Sequence, residues 1–240
     1  MPSPDPGLRM LLTRPEDPAR RFAALSRARL PGLRVVIAPL MRIVPVAGLP
    51  SQGEARGLIF TSASGVQAFS GLGGRSDLPV HCVGRATARA ARASGLAVGL
   101  VAQDAQGLIA QVIQARPPAP LLHLHGRHVS GQVAADLTAG GIPTTAAILY
   151  DQIAQPLPPA GRNALRQPGP MLVPVFSPRS ARLLFPWIDG AIATLRIAAI
   201  SPAVSNVFAA QGLPPPRSAS RPEAGALVDL MSELAISMSS

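Results

Sequence analysis

The sequence predicts an α/β protein of two similar lobes, each a parallel sheet flanked by helices, joined by a two-segment extended hinge. Three observations lead there. Short apolar runs alternate with helical spacings along nearly the whole chain, as parallel strands with crossover helices require. The layout of "LIFTSASGVQAF" (58–69) recurs in "PVFSPRSARLLF" (174–185), setting Phe60 on Phe176, Thr61 on Ser177, Ser64 on Ser180 and Phe69 on Phe185. Two further echoes follow in the same order: "VHCVGRATARAARASGL" (80–96) with "IAAISPAVSNVFAAQGL" (197–213), and "DAQGLIAQVI" (104–113) with "EAGALVDLM" (223–231). An ordered series of this kind implies a repeated α/β domain rather than one long sheet.

The elements follow from the N-terminus. "RMLLTR" (9–14) reads as a strand, a helix begins near Pro15 with Phe22, Leu25 and Leu30 in register, and "LRVVIAP" (33–39) is the return strand. Beyond the "GLPSQGE" loop come four strand–helix pairs: "GLIF" with 62–72, "VHCVG" with 85–94, "LAVGLV" with 105–115 and "LLHLHG" with 129–139, then a strand near 142–148. The first β-α-β unit has no echo in the second half, and its counterpart is the "LLHLHG" unit. Residues 1–40 are therefore expected to complete a lobe with 158–240, around an inserted lobe at 47–147. The Pro-flanked segments 41–46 and 148–157 would be hinge crossings that let the lobes close on a ligand. "GLPPPRSASRP" reads as a loop before the last helix.

Composition narrows the function classes. At 48% hydrophobic and 14% charged the chain is globular, and its 27 prolines and 22 glycines imply many loops. Its one cysteine, Cys82, suits a reducing compartment and reads as a small buried hydrophobe. Apolar runs are broken well short of a membrane span, and the N-terminal stretch lacks a signal peptide's apolar core, so a soluble, cytoplasmic protein is expected. All 22 basic residues are arginine, against 12 acidic ones, for a net charge of +10. The absence of lysine excludes Schiff-base and phosphate-loop lysine chemistry. Arginine instead favours an anionic partner through bidentate contacts. Nucleic acid is disfavoured, because aromatics are 3% and basic residues never cluster in long runs.

In parallel sheets, ligands collect at the carboxyl ends of strands, where the next helices begin. The hydroxyl-rich starts at Thr61 to Gly65 and Ser177 to Ser180, and the turn from Gly84 to Thr87, lie there. Ser62 and Ser64 could cap a helix, with N–H groups left for an anion. His123, His125 and His128 lack a carboxylate or cysteine at ligand spacing, so no metal is expected. GxGxxG, GxxxxGK[ST] and GxSxG motifs are all absent, as is a persuasive carboxylate pair. Tyr150, the only tyrosine, lies in a hinge crossing, where its phenol could donate a proton or pack structurally.

Taken with "LLTRP", "LLHLHG" and "LYDQ", these segments resemble the uroporphyrinogen-III synthase family, in the family's order and over most of residues 9–235. The resemblance implies a cofactor-free hydro-lyase of tetrapyrrole synthesis. Such an enzyme cyclises linear hydroxymethylbilane, which carries eight carboxylates, with loss of water and inversion of the last pyrrole ring through a spiro intermediate. It implies that Tyr150 assists departure of the hydroxyl. Expected substrate-binding residues are Arg14, Thr61, Ser62, Ser64, Gly84, Thr87, Gly126, Ser177, Ser180 and Ser201, of which Thr87 takes the family threonine's place. A monomer without nucleic-acid or membrane partners is expected. One departure stands out: the family's Gly-Pro-Thr-Thr is here Ser201, Pro202, Ala203 and Val204, with Ser201 or Ser205 as possible substitutes for the lost hydroxyls. A non-catalytic binder of an anionic tetrapyrrole or other polycarboxylate is the alternative.

Overall fold

A computed structural model describes residues 7–46, 48–128 and 131–237. In chain order, β1 (Arg9–Leu12), α1 (Glu16–Arg29) and β2 (Arg34–Ile37) are followed by β3 (Met41–Pro45), β4 (Gly57–Phe60), α2 (Ala63–Gly71), β5 (Val80–Val83) and α3 (Arg85–Ala93). Next come β6 (Val98–Ala102), α4 (Ala105–Ala115), β7 (Leu121–Gly126), α5 (Val133–Ala139) and β8 (Thr144–Ala154). The last third holds α6 (Pro159–Arg166), β9 (Pro170–Val175), α7 (Pro178–Ile188), β10 (Thr194–Ala199), α8 (Pro202–Ala209), β11 (Arg217–Ser218) and α9 (Ala224–Ile236). The chain divides into one unit of Met1–Arg42 with Ala154–Ser240 and a second of Ile43–Ile153.

The first unit is a five-stranded parallel sheet in the order β2-β1-β9-β10-β11. Its strands alternate sides. Met10 and Leu12 face a core with Phe22 of α1 and Leu227 of α9, whereas Leu11, Val173 and Val175 face Leu184 of α7 and Phe208 of α8. The second unit has the order β3-β8-β7-β4-β5-β6, parallel from β8 to β6. Leu58, Phe60 and Cys82 face α2 and α3 on one side, and Ile59 and Leu121 face α4 and α5 on the other. Fully buried residues such as Phe69 and Leu108 contribute about 2 kcal/mol apiece by leaving water.

If β4 is set on β9, then β5 falls on β10, β6 on β11, β7 on β1 and β8 on β2, so both units share one strand order. The helix caps fix the register. Gly84 and Ser201 are the N-caps of α3 and α8, and Asp104 and Glu223 those of α4 and α9, as the second and third echoes require. The first echo needs a correction of one residue. The N-caps of α2 and α7 are Ser62 and Ser177, which places Ser62, not Thr61, on Ser177. Burial agrees: Phe69 then falls on Leu184, both inaccessible, rather than on the partly exposed Phe185.

Four other details depart from the sequence reading. Leu25, expected on the buried stripe of α1, is 43% exposed, and Ala19, Ala23 and Ser26 complete that stripe beside Phe22. Helix α6 was not anticipated, because the prolines and glycine of "PPAGRNALR" mask a start in which Pro159 occupies the first turn. The strand after α5 and the second hinge crossing are one continuous strand, β8. The proline-rich loop before α9 contains β11, a two-residue strand paired with β10.

Candidate functional site

In the second unit the strand order reverses between β7 and β4. The helix after β4 covers one face and the helix after β7 the other, and a crevice opens at the carboxyl ends where they part. A cavity of about 300 Å³ occupies this position. Its walls include Thr61 and Ser62 after β4, His123 and Gly126 of β7, and Tyr150 of β8.

Tyr150 is placed by an irregularity in β8. His125 pairs with Ile148 but Gly126 pairs with Tyr150, so Leu149 is an extra residue in the strand. In consequence the consecutive side chains of Leu149 and Tyr150 both enter the α2–α3 side of the core. The Tyr150 ring, 5% exposed, lies against Gly126: a Cβ there would sit 2.6 Å from Cζ. Glycine is required at 126 for that reason. Behind it, Arg127 N–H donates to Tyr150 O at 2.8 Å, and Asp151 accepts from Arg127 Nε at 2.9 Å with His128 Nε2 at 3.4 Å. Burial works against ionisation of Asp151, but the Gln152 amide and Arg127 outweigh it and hold its carboxyl below the usual value.

The phenol meets Ser62 Oγ at 2.9 Å. Ser62 Oγ also accepts from Gly65 N–H at 3.1 Å, the cap of α2. A serine oxygen accepting one N–H keeps its own proton to donate. If Ser62 donates to the phenol oxygen, the phenolic proton is free for a ligand. Thr61 Oγ1 is 3.4 Å from Nε2 of His123, whose pKa burial and neighbouring His125 push down to about 4. The imidazole is therefore neutral near pH 7. The cavity thus presents a phenol, two hydroxyls and the neutral His123 imidazole, with His128 and Gln152 also on its walls.

Of the residues singled out from the sequence, Thr61, Ser62, Gly126 and Tyr150 line one cavity. Ser64 lies inside the first turn of α2, and the cap is made by Ser62 alone of the two serines. Gly84 adopts φ +84° at the N-cap of α3, and Thr87, 4% exposed, lies within that helix; neither lines the cavity. In the first unit, Ser177 and Ser180 form a reciprocal capping box at α7. Ser201 is the N-cap of α8 but makes no side-chain cap bond, and Ser205 donates to Pro216 O at 2.7 Å. Arg14 stacks on Phe176, 4.1 Å from its centroid. Cys82 is fully buried, and its thiol is pushed up to about 11 by burial, against an opposing effect of Arg92. Among the described residues no group of His, Cys, Asp and Glu could hold a metal ion, and no helix is long and apolar enough to cross a membrane. The partnership of Asp151 with Arg127 and His128 was missed by sequence reasoning. The adjacent "GRH" and "YDQ" stretches were its only trace.

Two units of one strand order, with a cavity at the switch point of one, define a duplicated α/β protein. The family model described as uroporphyrinogen-III synthase HemD matches residues 23–229, and the chain belongs to the uroporphyrinogen-III synthase family. Among solved structures it is similar to a uroporphyrinogen-III synthetase from Helicobacter pylori, at 15% identity and TM-score 0.67, over 95% of this chain and 98% of that one. A mutant uroporphyrinogen III synthase from the extremely thermophilic bacterium Thermus thermophilus matches at 14% identity and TM-score 0.46, over 96% and 99%. The Helicobacter structure shares the fold. No curated protein matches the sequence.

Proposed function

We propose that the protein cyclises hydroxymethylbilane to uroporphyrinogen III, with the switch-point cavity of the second unit as the place where water is lost. The observation that carries this reading is the Tyr150 phenol, 2.9 Å from Ser62 Oγ: a hydrogen bond donated by that serine leaves the phenolic proton for the cavity. As the substrate's C–O bond breaks, that proton leaves with the hydroxyl as water, and the pyrrole nitrogen's lone pair stabilises the methylene cation. The cation is then captured by the substituted α-carbon of the last ring to give the spiro intermediate; that carbon's bond to its original methylene bridge breaks, and the methylene cation so released closes on the ring's free α-carbon, which inverts the ring. The final ring carbon's proton returns to the phenolate, so the enzyme ends unchanged. The substrate closes by itself to the type I isomer, so the protein's task is chiefly to fold the chain and favour one attack geometry.

Ser62 lies beside the phenol and Thr61 lines the same cavity, and the N-termini of α2, α3, α7 and α8 offer N–H groups to carboxylates, with Ser64, Gly84, Thr87, Ser177, Ser180 and Ser201 shaping those turns. Incubation with freshly prepared hydroxymethylbilane and chromatographic separation of the isomers tests the reading. Type III product is expected, and product that is type I only, as in the blank, would overturn it. The departure at Ala203 and Val204 supports the second reading, a non-catalytic binder of a polycarboxylate, which the same measurement separates because a binder gives no type III isomer.

A further inference from the structure

We propose that the first unit carries a ligand site at the amino ends of its strands, for a small phosphomonoester bearing a planar ring, a nucleoside monophosphate in chemical class. Helix α6 ends at Arg166 just before β9, and α7 ends at Ile188 before the turn that leads into β10. A cavity of about 270 Å³ lies between these helix ends, and its walls include Arg162, Arg166, Pro186, Trp187, Asp189 and Gly190. Strands β9 and β10 are 6 residues each, so the cavity stands about 20 Å from their carboxyl ends. The second unit has no such place. Its counterpart of β9 is β4, which follows β3 with no helix between them among the described residues.

The cavity is braced from behind. Arg9, 4% exposed, donates to the carbonyls of Ala164, Gln167 and Pro168 at 2.9 Å, and Leu165 O accepts from Ile192 and Ala193 N–H, both at 3.0 Å. The end of α6 and the turn before β10 are therefore one fixed wall. Arg9 also changes the meaning of Arg166. A basic residue in the last turn of a helix commonly serves the terminal carbonyls, but here Arg9 has taken them. Among the described residues, Arg166 is left exposed with no acceptor and no ion pair. Arg162, four residues earlier on the same helical face, donates once to Leu157 O at 2.7 Å and has no acid beside it. Trp187 is half-buried, with neither a ring nor a cation against its face and no acceptor for its indole N–H among those residues.

The chemistry of the wall selects the ligand. Two guanidinium groups one helical turn apart match the charge of a phosphomonoester dianion, and guanidinium meets phosphate through parallel hydrogen bonds. A single carboxylate would leave one of them unmatched. The free indole face beside Pro186 offers a stacking surface to a planar ring. Asp189, on the same wall and without an ion pair, is an acceptor for hydroxyls such as a sugar carries. A volume near the lower limit of small-molecule clefts suits a mononucleotide and not a tetrapyrrole.

Trp187 is the single tryptophan of the chain, so its fluorescence reports on this cavity alone. AMP titrated into the whole chain is expected to quench it saturably, and to bind at least about tenfold more tightly than adenosine or inorganic phosphate, each of which lacks part of the contacts. Calorimetric titration repeats the measurement without relying on the indole. Arg166→Met removes a side chain that has no partner in the fold. It is expected to weaken AMP roughly tenfold while leaving the ligand-free Tm unchanged, and Arg166→Lys is expected to recover part of the loss. No saturable AMP binding by either method, adenosine or phosphate binding as tightly as AMP, or wild-type affinity in Arg166→Met would each overturn the proposal. The site and the enzymatic reading fail separately. AMP binding by a protein that forms only the type I isomer keeps the site and loses the enzyme, and type III formation without AMP binding does the reverse.

Discussion

The two units share a strand order and a set of helix caps, yet their switch points carry different chemistry. In the second unit β4 and β7 end in a cavity whose walls include the Thr61–His123 and Ser62–Tyr150 pairs, with His128 and Gln152 beside them. In the first, β1 and β9 end in a cation stacked on an aromatic ring beside a closed capping box. The difference shows that a repeated frame fixes where a site can be and leaves its chemistry to a few residues. Aligned by their caps, Thr61 replaces Phe176 and His125 replaces Arg14. Those exchanges turn a fixed charge into a polar pocket.

The largest expected effect breaks the comparison at the phenol. Tyr150→Phe should lower the rate of type III formation by at least about a hundredfold, the scale of a positioned proton donor. The folded state loses only one buried hydrogen bond, about 1 kcal/mol. Kinetics beside thermal melting separates the two, and an unchanged rate would remove the phenol from the mechanism.

Acid should distinguish the units next. His123 has its pKa depressed to about 4 by burial and by His125, so the folded second unit resists a proton that the unfolded chain accepts near 6.5. The stability this contributes is complete above pH 6.5 and is lost as pH falls toward 4, about 3 kcal/mol over the whole window. His81, whose Nδ1 accepts from Leu100 N–H, is also shifted downward by burial and adds to the same trend. Urea denaturation at several pH values should show the loss, and His123→Gln should flatten it. Gly126→Ala follows, with a smaller cost. Its Cβ would meet the Tyr150 ring at 2.6 Å, and overpacking of that kind costs roughly 1–3 kcal/mol. Melting and turnover should fall together, because the displaced group is the phenol itself.

Much of this frame was legible because it rests on local patterns. The alternation of apolar runs and helices predicts parallel sheets, and the echoes locate the N-caps of α3, α8, α4 and α9. The first echo slipped by one residue because phenylalanine matched phenylalanine in the letters, whereas the fold matches Phe69 with Leu184 by depth of burial. The cavity was only half legible. Hydroxyls at a strand end point to a site, but the pairing of Ser62 with Tyr150 depends on a bulge at Leu149 that no spacing rule announces. The buried, unpartnered Nε of Arg14 was illegible for a related reason. Whether an arginine finds acceptors is decided by which carbonyls the fold brings near, and Arg9 and Arg14 look alike in the letters.

The smallest effect gives the sharpest comparison, because Ser62 and Ser177 do the same structural work. Each accepts an N–H at the third position of its helix, Gly65 N–H for one and Ser180 N–H for the other, both at 3.1 Å. Replacement of either by alanine should cost about 1 kcal/mol of stability and lower Tm by a similar few degrees. Only Ser62 also holds a phenol. Ser62→Ala should therefore reduce type III formation beyond what its melting temperature explains, whereas Ser177→Ala should leave kcat nearly intact. A threonine at 62 keeps the oxygen and should restore most of the lost rate. Equal kinetic effects from the two alanine variants would mean that Ser62 acts through the helix and not through Tyr150, and the asymmetry between the switch points would then rest on Arg14 alone.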